Sequence, residues 1–174
     1  MILIRHGQSE FNVVYSVTRQ DPGIQDPKLT DLGRQQAASV AEALAGRDLT
    51  EVLSSPYTRA LQTAEIVAGT LGLPIRIEPL VRELCRFQCD VGSPRSHLLQ
   101  RWPALDFDHL PERWWPHLLD ETDEALQGRC DDFRGRMAAR HDWHRVAVVT
   151  HWGFIRGLTG ESVTNGHHMV FDPR

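Results

Sequence analysis

Met1-Ile-Leu-Ile-Arg-His-Gly7 opens the chain, and Val146-Ala-Val-Val-Thr-His151 lies near its end. Each stretch is a short apolar run that leads into a histidine. The opening run is too short for a signal peptide, and no run in the chain approaches the length of a membrane span. Nearly continuous apolar runs of this size are typical of strands buried on both faces of a parallel sheet. Both runs therefore predict inner strands with imidazole groups at their carboxyl ends.

Helical and extended patterns alternate between these two runs. Apolar residues recur at helical spacing in three stretches, 31–45, 59–71 and 123–140, and a short helix is predicted from Phe154. Short strands are predicted at 51–54, 75–77 and 168–171. Thr30 suits the N-cap of the first helix, and Ser55 followed by Pro56 suits the start of the second. The alternation predicts an α/β fold with a mostly parallel central sheet and helices on both faces.

The alternation stops in the segment 85–121. Proline and tryptophan recur there without a sustained period, as in Trp102-Pro103 and Trp114-Trp115-Pro116. We interpret this segment as a small cap insertion in a single domain that covers residues 1–174. Its tryptophans are expected to form a small satellite core, and the alternative is that they form an aromatic surface facing the substrate.

Composition narrows the classes of partner. The 174 residues include 41% hydrophobic and 24% charged residues, with a formal net charge of −4, which suits one compact domain. This charge gives no overall attraction to nucleic acid or to an anionic membrane, so small-molecule partners are expected. Three cysteines cannot all pair, which favours a reducing, cytoplasmic location. No pattern in the chain specifies an oligomer.

Cationic and imidazole side chains follow three of the predicted strands. The segments are Arg5-His6-Gly7, Ser55-Pro-Tyr-Thr-Arg59 and His151-Trp152-Gly153. Ligands of open parallel sheets bind outside the carboxyl ends of the strands, so these segments should meet at one rim. Guanidinium groups offer a rigid fork of donors that matches phosphate. The rim is therefore expected to bind an anion, although each histidine or arginine taken alone could be buried or ion-paired for structural reasons.

The same inventory suggests covalent chemistry on phosphorus. A neutral imidazole is a good nucleophile, and water can cleave the phosphoramidate that it forms. The leaving alkoxide needs a proton donor, and Glu83, which precedes the predicted cap, is placed to supply it. Spacing alone does not decide whether His6 or His151 attacks. For Glu83 the alternative is a solvated salt bridge with its neighbours Arg82 and Arg86.

An ordered set of motifs extends this pattern through the chain. It comprises Arg5-His-Gly7, Gln8-Ser-Glu-Phe-Asn12, Leu29-Thr-Asp-Leu-Gly33, Ser54-Ser-Pro-Tyr-Thr-Arg-Ala60 and Val146-Ala-Val-Val-Thr-His151. The set resembles the histidine phosphatase superfamily, the phosphoglycerate mutase-like proteins, over nearly the whole chain. The chain departs from the family pattern at Trp152, where relatives usually have a small residue, and at Gln8, where many have glutamate.

The resemblance implies a role for each matching residue. His6 would be the nucleophile, Arg5, Arg59 and His151 would complete the phosphate pocket, and Glu83 would be the proton donor. Three further substrate contacts are expected at Asn12, Trp152 and Arg86. No cofactor and no metal are predicted, since arginines and histidines supply the positive charge, and the histidine pairs 141/144 and 167/168 lack further ligands.

These roles predict a phosphatase for small phosphate monoesters that works through a phosphohistidine. A phosphoglycerate mutase is the closest rival, but the chain reads Glu83-Leu-Cys-Arg-Phe87 where such mutases carry a Glu-Arg-His-Tyr-Gly type of segment. A protein phosphohistidine phosphatase is a second rival, and a catalytically inactive module that binds a phosphorylated ligand is a third.

Overall fold

A computed structural model describes all 174 residues, and its centre is one five-stranded sheet. The strands are β1 (Ile2–Arg5), β2 (Glu51–Ser54), β3 (Ile75–Ile77), β4 (Val146–Thr150) and β5 (His168–Val170). Their order across the sheet is β3-β2-β4-β1-β5. The first four strands are parallel, and β5 runs antiparallel to β1 at the edge. The predicted mostly parallel sheet is confirmed.

Six α-helices accompany the sheet. They are α1 (Glu10–Thr18), α2 (Asp31–Leu44), α3 (Thr58–Leu71), α4 (Arg95–Arg101), α5 (Asp123–Ala138) and α6 (Trp152–Thr159). Thr30 caps α2 as predicted, with its hydroxyl oxygen accepting from the backbone nitrogen of Gly33 at 3.0 Å. None of the six is both long and apolar enough to cross a membrane.

The sheet separates two hydrophobic cores. Along β4, Val146 and Val148 face a core built with α5 and α6, whereas Ala147 and Val149 face a core built with α2 and α3. This alternation is the two-residue period of a strand whose two faces are both covered. Helices therefore pack on both faces of the sheet, as predicted.

The segment 85–121 packs against the rest of the domain through a third core. Tyr57 and Leu61 of the main fold contact Leu98, Trp102, Phe107, Leu110 and Trp114 from this segment. The indole nitrogen of Trp114 donates to the Ser93 carbonyl at 2.9 Å, so its polar atom is satisfied. The interpretation of these tryptophans as a satellite core is confirmed.

Two helices were not predicted from the sequence, α1 and α4. In α1 only Phe11 is buried, while Val13 and Val17 are exposed, so the apolar residues of this helix are not gathered on one buried face. Helix α4 has seven residues and buries only Leu98, which is too short a pattern to establish a period.

Candidate active site

Strand pairing brings the two histidine segments side by side. Arg5 lies opposite Thr150 in the parallel pairing of β1 with β4, and the backbone nitrogen of His6 donates to the Thr150 carbonyl at 3.0 Å. His6 and His151 therefore both lie at the carboxyl ends of neighbouring strands, on the same side of the sheet. Their ring centroids are 5.0 Å apart.

A cavity of about 750 Å³ lies at these strand ends. Seven of the eight residues predicted for the site line it: Arg5, His6, Asn12, Arg59, Glu83, Arg86 and Trp152. The eighth, His151, is fully buried, and its ring centroid lies 5.0 Å from that of His6. The tertiary fold thus assembles the whole predicted set, from segments as far apart in the chain as Arg5 and Trp152.

The imidazole of His6 has one nitrogen committed and one free. Its Nδ1 lies 2.7 Å from the Gly7 carbonyl oxygen, which can only accept a hydrogen bond, so Nδ1 carries the proton. The lone pair is then on Nε2. Burial lowers the pKa of His6 well below its usual value, and the positive charges of Arg59 and Arg5 lower this pKa further. His6 is therefore a neutral imidazole with a free Nε2 at the cavity.

His151 forms a side-chain hydrogen bond with Ser55. The Nε2 atom of His151 lies 2.8 Å from the Ser55 hydroxyl oxygen, and its Nδ1 is buried without a partner. Ser55 is not the N-cap of α3, contrary to the sequence prediction, because that helix begins at Thr58 with Tyr57 in the cap position. The serine hydroxyl instead orients an imidazole whose second nitrogen still needs a partner.

The two arginines are anchored differently. Arg5 donates from Nη1 to the Val163 carbonyl at 2.6 Å, and its Nε is buried without a partner. Arg59 donates from Nη1 to the Cys89 carbonyl at 2.7 Å and from Nη2 to Asp90 Oδ1 at 3.1 Å. Arg5 Nε and His151 Nδ1 are thus two buried nitrogens of the predicted site that have no hydrogen-bond partner within the chain.

Glu83 lines the cavity through a carboxylate with one free oxygen. Oε1 accepts from the backbone nitrogens of Leu84 at 2.8 Å and Gly153 at 2.7 Å, whereas Oε2 makes no hydrogen bond within the chain. Burial raises the pKa of Glu83, the nearby charge of Asp90 raises it further, and Arg59 opposes both effects. A solvated salt bridge with Arg82 does not form, since Arg82 pairs with Glu121.

Glu121 has a structural position. It accepts from Arg129 Nε at 2.9 Å and from the backbone nitrogen of Cys85 at 3.0 Å. Arg129 also donates to the carbonyls of Leu80 and Arg82, at 2.6 and 2.9 Å. This buried pair therefore fixes the short segment that carries Glu83.

The three further substrate contacts predicted from the sequence differ in whether other residues already occupy their side chains. Asn12 Oδ1 accepts from the Ser9 backbone and from Asn165 Nδ2, which leaves the Asn12 amino group as the available donor. Arg86 lines the cavity but pairs with Asp123 at 2.7 Å, at a partly exposed position. Trp152 begins α6, and the Arg156 guanidinium carbon lies 5.1 Å from its ring centroid.

Sequence analysis did not predict several residues of this cavity, among them Asp90 and Arg156. Asp90 is a single acid in a segment without a period, so no sequence signal pointed to it. Arg156 lies four residues after Trp152 on a helix, and this i, i+4 spacing could have placed it on the same face. No group of three or more His, Cys, Asp or Glu side chains is arranged to hold a metal ion.

Comparison with known proteins agrees with the geometry. Residues 1–170 match the family profile of the histidine phosphatase superfamily, branch 1. The chain belongs to the histidine phosphatase superfamily. The resemblance read from the motifs is thereby confirmed, and the matched range includes every residue of the cavity.

Related histidine phosphatases differ in their named activities. The chain is 29% identical to glucosyl-3-phosphoglycerate phosphatase of Mycolicibacterium vanbaalenii over 173 residues, covering 91% of this chain and 72% of that protein. It is 39% identical to probable phosphoglycerate mutase GpmB of Photorhabdus laumondii over 120 residues, which is 69% of this chain but only 49% of that protein.

A solved structure also matches the chain. YhfR of Bacillus stearothermophilus superposes with a TM-score of 0.65 and 30% identity, covering 91% of this chain and 77% of that chain. The α/β architecture is therefore that of the histidine phosphatase superfamily.

Proposed function

We propose that this protein is a phosphatase that hydrolyses small organic phosphate monoesters through a phosphohistidine formed on His6. The observation that carries the proposal is the state of the His6 ring. Its Nδ1 proton is held by the Gly7 carbonyl, and its Nε2 is free at a cavity that also holds Arg5, Arg59 and Glu83. A nucleophile, an anion pocket and a half-buried carboxyl group are thus within one site.

In the first step, His6 Nε2 attacks phosphorus, and the bond from phosphorus to the ester oxygen breaks. Glu83 in its protonated form gives its proton to the departing alkoxide, and the free Oε2 is the oxygen suited to carry it. The positive charge that develops on the His6 ring is stabilised by the Gly7 carbonyl at Nδ1. Arg5, Arg59 and His151 hold the phosphoryl oxygens.

In the second step, water attacks phosphorus and the bond from phosphorus to Nε2 breaks. The Glu83 carboxylate takes a proton from the attacking water, so it ends the cycle protonated. The electron pair of the broken bond returns to Nε2. Inorganic phosphate leaves, and the neutral His6 is restored.

The size and covering of the cavity support small substrates. Its volume of about 750 Å³ is within the range of small-molecule sites. We propose that the segment 85–121 acts as a cap that limits access, since Arg86, Phe87, Cys89 and Asp90 from this segment line the cavity. The name of the mycobacterial relative, a phosphatase for a phosphorylated glycerate derivative, supports the same class.

We also propose a cytoplasmic location. All three cysteines, Cys85, Cys89 and Cys130, are buried and unpaired, which suits a reducing compartment.

Turnover and phosphoenzyme trapping test the proposal together. We expect release of phosphate from p-nitrophenyl phosphate and an acid-labile, base-stable phosphoryl group on the quenched enzyme. His6→Ala should lose at least about 10³-fold in turnover and lack the adduct, because the nucleophile is deleted. The exposed His109 provides a matched control, and His109→Ala should behave as the unaltered protein.

Three other outcomes would overturn the proposal. Efficient interconversion of two phosphoglycerates with little free phosphate would establish a mutase. Phosphate binding without turnover would establish a binding module. An adduct that persists in His6→Ala but is absent from His151→Ala would reverse the roles of the two histidines.

A further inference from the structure

Three aromatic side chains form a continuous part of the cavity lining. Phe11 and Tyr15, one turn apart on α1, stack with ring centroids 5.0 Å apart. Phe87 packs against both, at 5.6 Å from Phe11 and 5.2 Å from Tyr15. All three line the cavity, and we call them the aromatic wall.

The aromatic wall is held in place on the Phe87 side. Asp90 Oδ2 accepts from the Phe87 backbone nitrogen at 3.0 Å, and Asp21 Oδ2 accepts from the backbone nitrogen of Gln88 at 2.8 Å. Asp90 is itself paired with Arg59 of the phosphate pocket. The wall is therefore preorganised relative to the place where the phosphoryl group would bind.

Trp152 is a fourth aromatic residue of the lining, and the guanidinium group of Arg156 lies over its ring. The guanidinium carbon of Arg156 lies 5.1 Å from the Trp152 ring centroid, within the range of a cation–π contact. Arg156 is exposed and forms no ion pair, whereas Arg59 and Arg86 are paired with Asp90 and Asp123. Arg156 thus presents an uncompensated charge at the solvent edge of the cavity.

We propose that the alcohol part of the substrate carries a flat aromatic ring that packs on the aromatic wall and an anionic group that pairs with Arg156. Aromatic rings favour offset-stacked and edge-to-face contacts with other rings, beyond the burial of apolar area. A guanidinium that lies on an indole ring keeps its donor edge for a carboxylate. The inference rests on the proposed phosphatase function and narrows its substrate class.

Matched esters isolate the two features. Benzyl phosphate and cyclohexylmethyl phosphate both release a primary alcohol of similar size, but only benzyl phosphate has an aromatic face. 4-Carboxybenzyl and 4-carbamoylbenzyl phosphate are nearly isosteric, but only the first is charged on the ring. We expect kcat/KM to favour benzyl over cyclohexylmethyl about fivefold, and carboxybenzyl over carbamoylbenzyl about tenfold.

Two variants should each remove one preference. Tyr15→Leu should bring the ratio of benzyl to cyclohexylmethyl close to one. Arg156→Gln should bring the kcat/KM ratio of 4-carboxybenzyl to 4-carbamoylbenzyl phosphate close to one, while the preference for benzyl over cyclohexylmethyl phosphate stays unchanged. Each ratio is measured within one variant, so a general loss of activity cancels. Val17→Ala, on the same helix as Tyr15 but 83% exposed, is the control and should leave both ratios unchanged.

The failure of this inference can be distinguished from failure of the proposed function. If the enzyme forms its His6 adduct but shows neither preference, the substrate class is overturned and the phosphatase stands. If no ester is hydrolysed and no adduct forms, the proposed function itself fails. If the charge preference survives Arg156→Gln but is lost in Arg19→Gln, the assignment to Arg156 is wrong, since Arg19 is the other exposed arginine of the lining that forms no ion pair.

Discussion

The carboxylate of Glu83 accepts a hydrogen bond from the backbone nitrogen of Gly153, at 2.7 Å from its Oε1. This bond links the segment after β3 to the first turn of the helix that follows His151. The approach is so close that a methyl group on Gly153 would overlap Glu83 Oε1 and lie 2.9 Å from Leu84 Cβ. The position of the candidate acid therefore depends on a glycine next to the second histidine segment.

The first prediction is that Gly153→Ala displaces Glu83. We expect turnover of alkyl phosphates to fall by about ten- to a hundredfold, because the proton donor moves away from the leaving group. Steady-state kinetics on alkyl and aryl esters would measure it. Gly128→Ala on α5 is the control, since a methyl group there meets open space and should raise stability by up to about 1 kcal/mol. Unchanged alkyl turnover in Gly153→Ala would contradict the prediction.

The second prediction concerns the proton itself. Glu83→Gln keeps an oxygen for the Gly153 and Leu84 nitrogens but removes the titrating group. Phosphorylation of His6 should slow by about a hundredfold or more with alkyl esters and far less with aryl esters, whose phenolate leaves without a proton. Single-turnover rates on paired esters would show this. Equal losses on both ester types, with normal dephosphorylation, would make Glu83 a structural residue.

The third prediction uses Asp90, which raises the pKa of Glu83 in addition to the larger effect of burial. In Asp90→Asn this carboxylate charge is gone, so the pKa of Glu83 falls and its acid form is lost at a lower pH. The alkaline limb of alkyl-ester phosphorylation should therefore move to lower pH. A pH–rate profile by single turnover would measure the shift. A uniform loss at every pH would show only that Arg59 had lost its partner.

The fourth prediction is a loss of stability in acid. Burial lowers the pKa of both His6 and His151 well below 6.5. Below pH 6.5 these histidines therefore bind protons in the unfolded chain but stay neutral in the native protein. The free energy of unfolding should fall as pH drops below 6.5, by up to about 1.4 kcal/mol per pH unit for each histidine. The raised pKa of Glu83 changes the free energy of unfolding in the opposite sense. The test therefore compares the unaltered protein with a variant that lacks one of the two histidines.

Denaturant unfolding at pH 7 and pH 5.5 would provide that comparison. His6→Asn removes one titrating group and should lose less stability over this interval than the unaltered protein. An identical loss in both proteins would show that folding does not lower the pKa of His6.

Much of the fold could be predicted because its signals are local. The apolar runs of β1 and β4 and the helical spacing in α2, α3 and α5 each lie within one short stretch. Helix α1 was not predicted, because its apolar residues are not confined to one face of the helix, and Val13 and Val17 are exposed. Ser55 also looked like a helix cap from its neighbour Pro56, whereas its hydroxyl contacts His151, 96 residues away.

The sequence by itself determined the α/β fold class, the two histidine strand ends and the family, because strand runs and motifs are short-range patterns. Only the tertiary structure brought the two imidazoles together, since the parallel pairing of β1 with β4 places their ring centroids 5.0 Å apart. It also decided the partner of Arg59, since the pairing with Asp90 joins residues 31 positions apart with no periodic relation. Such contacts depend on how distant segments pack in space, and a linear pattern does not encode that packing in any readable way.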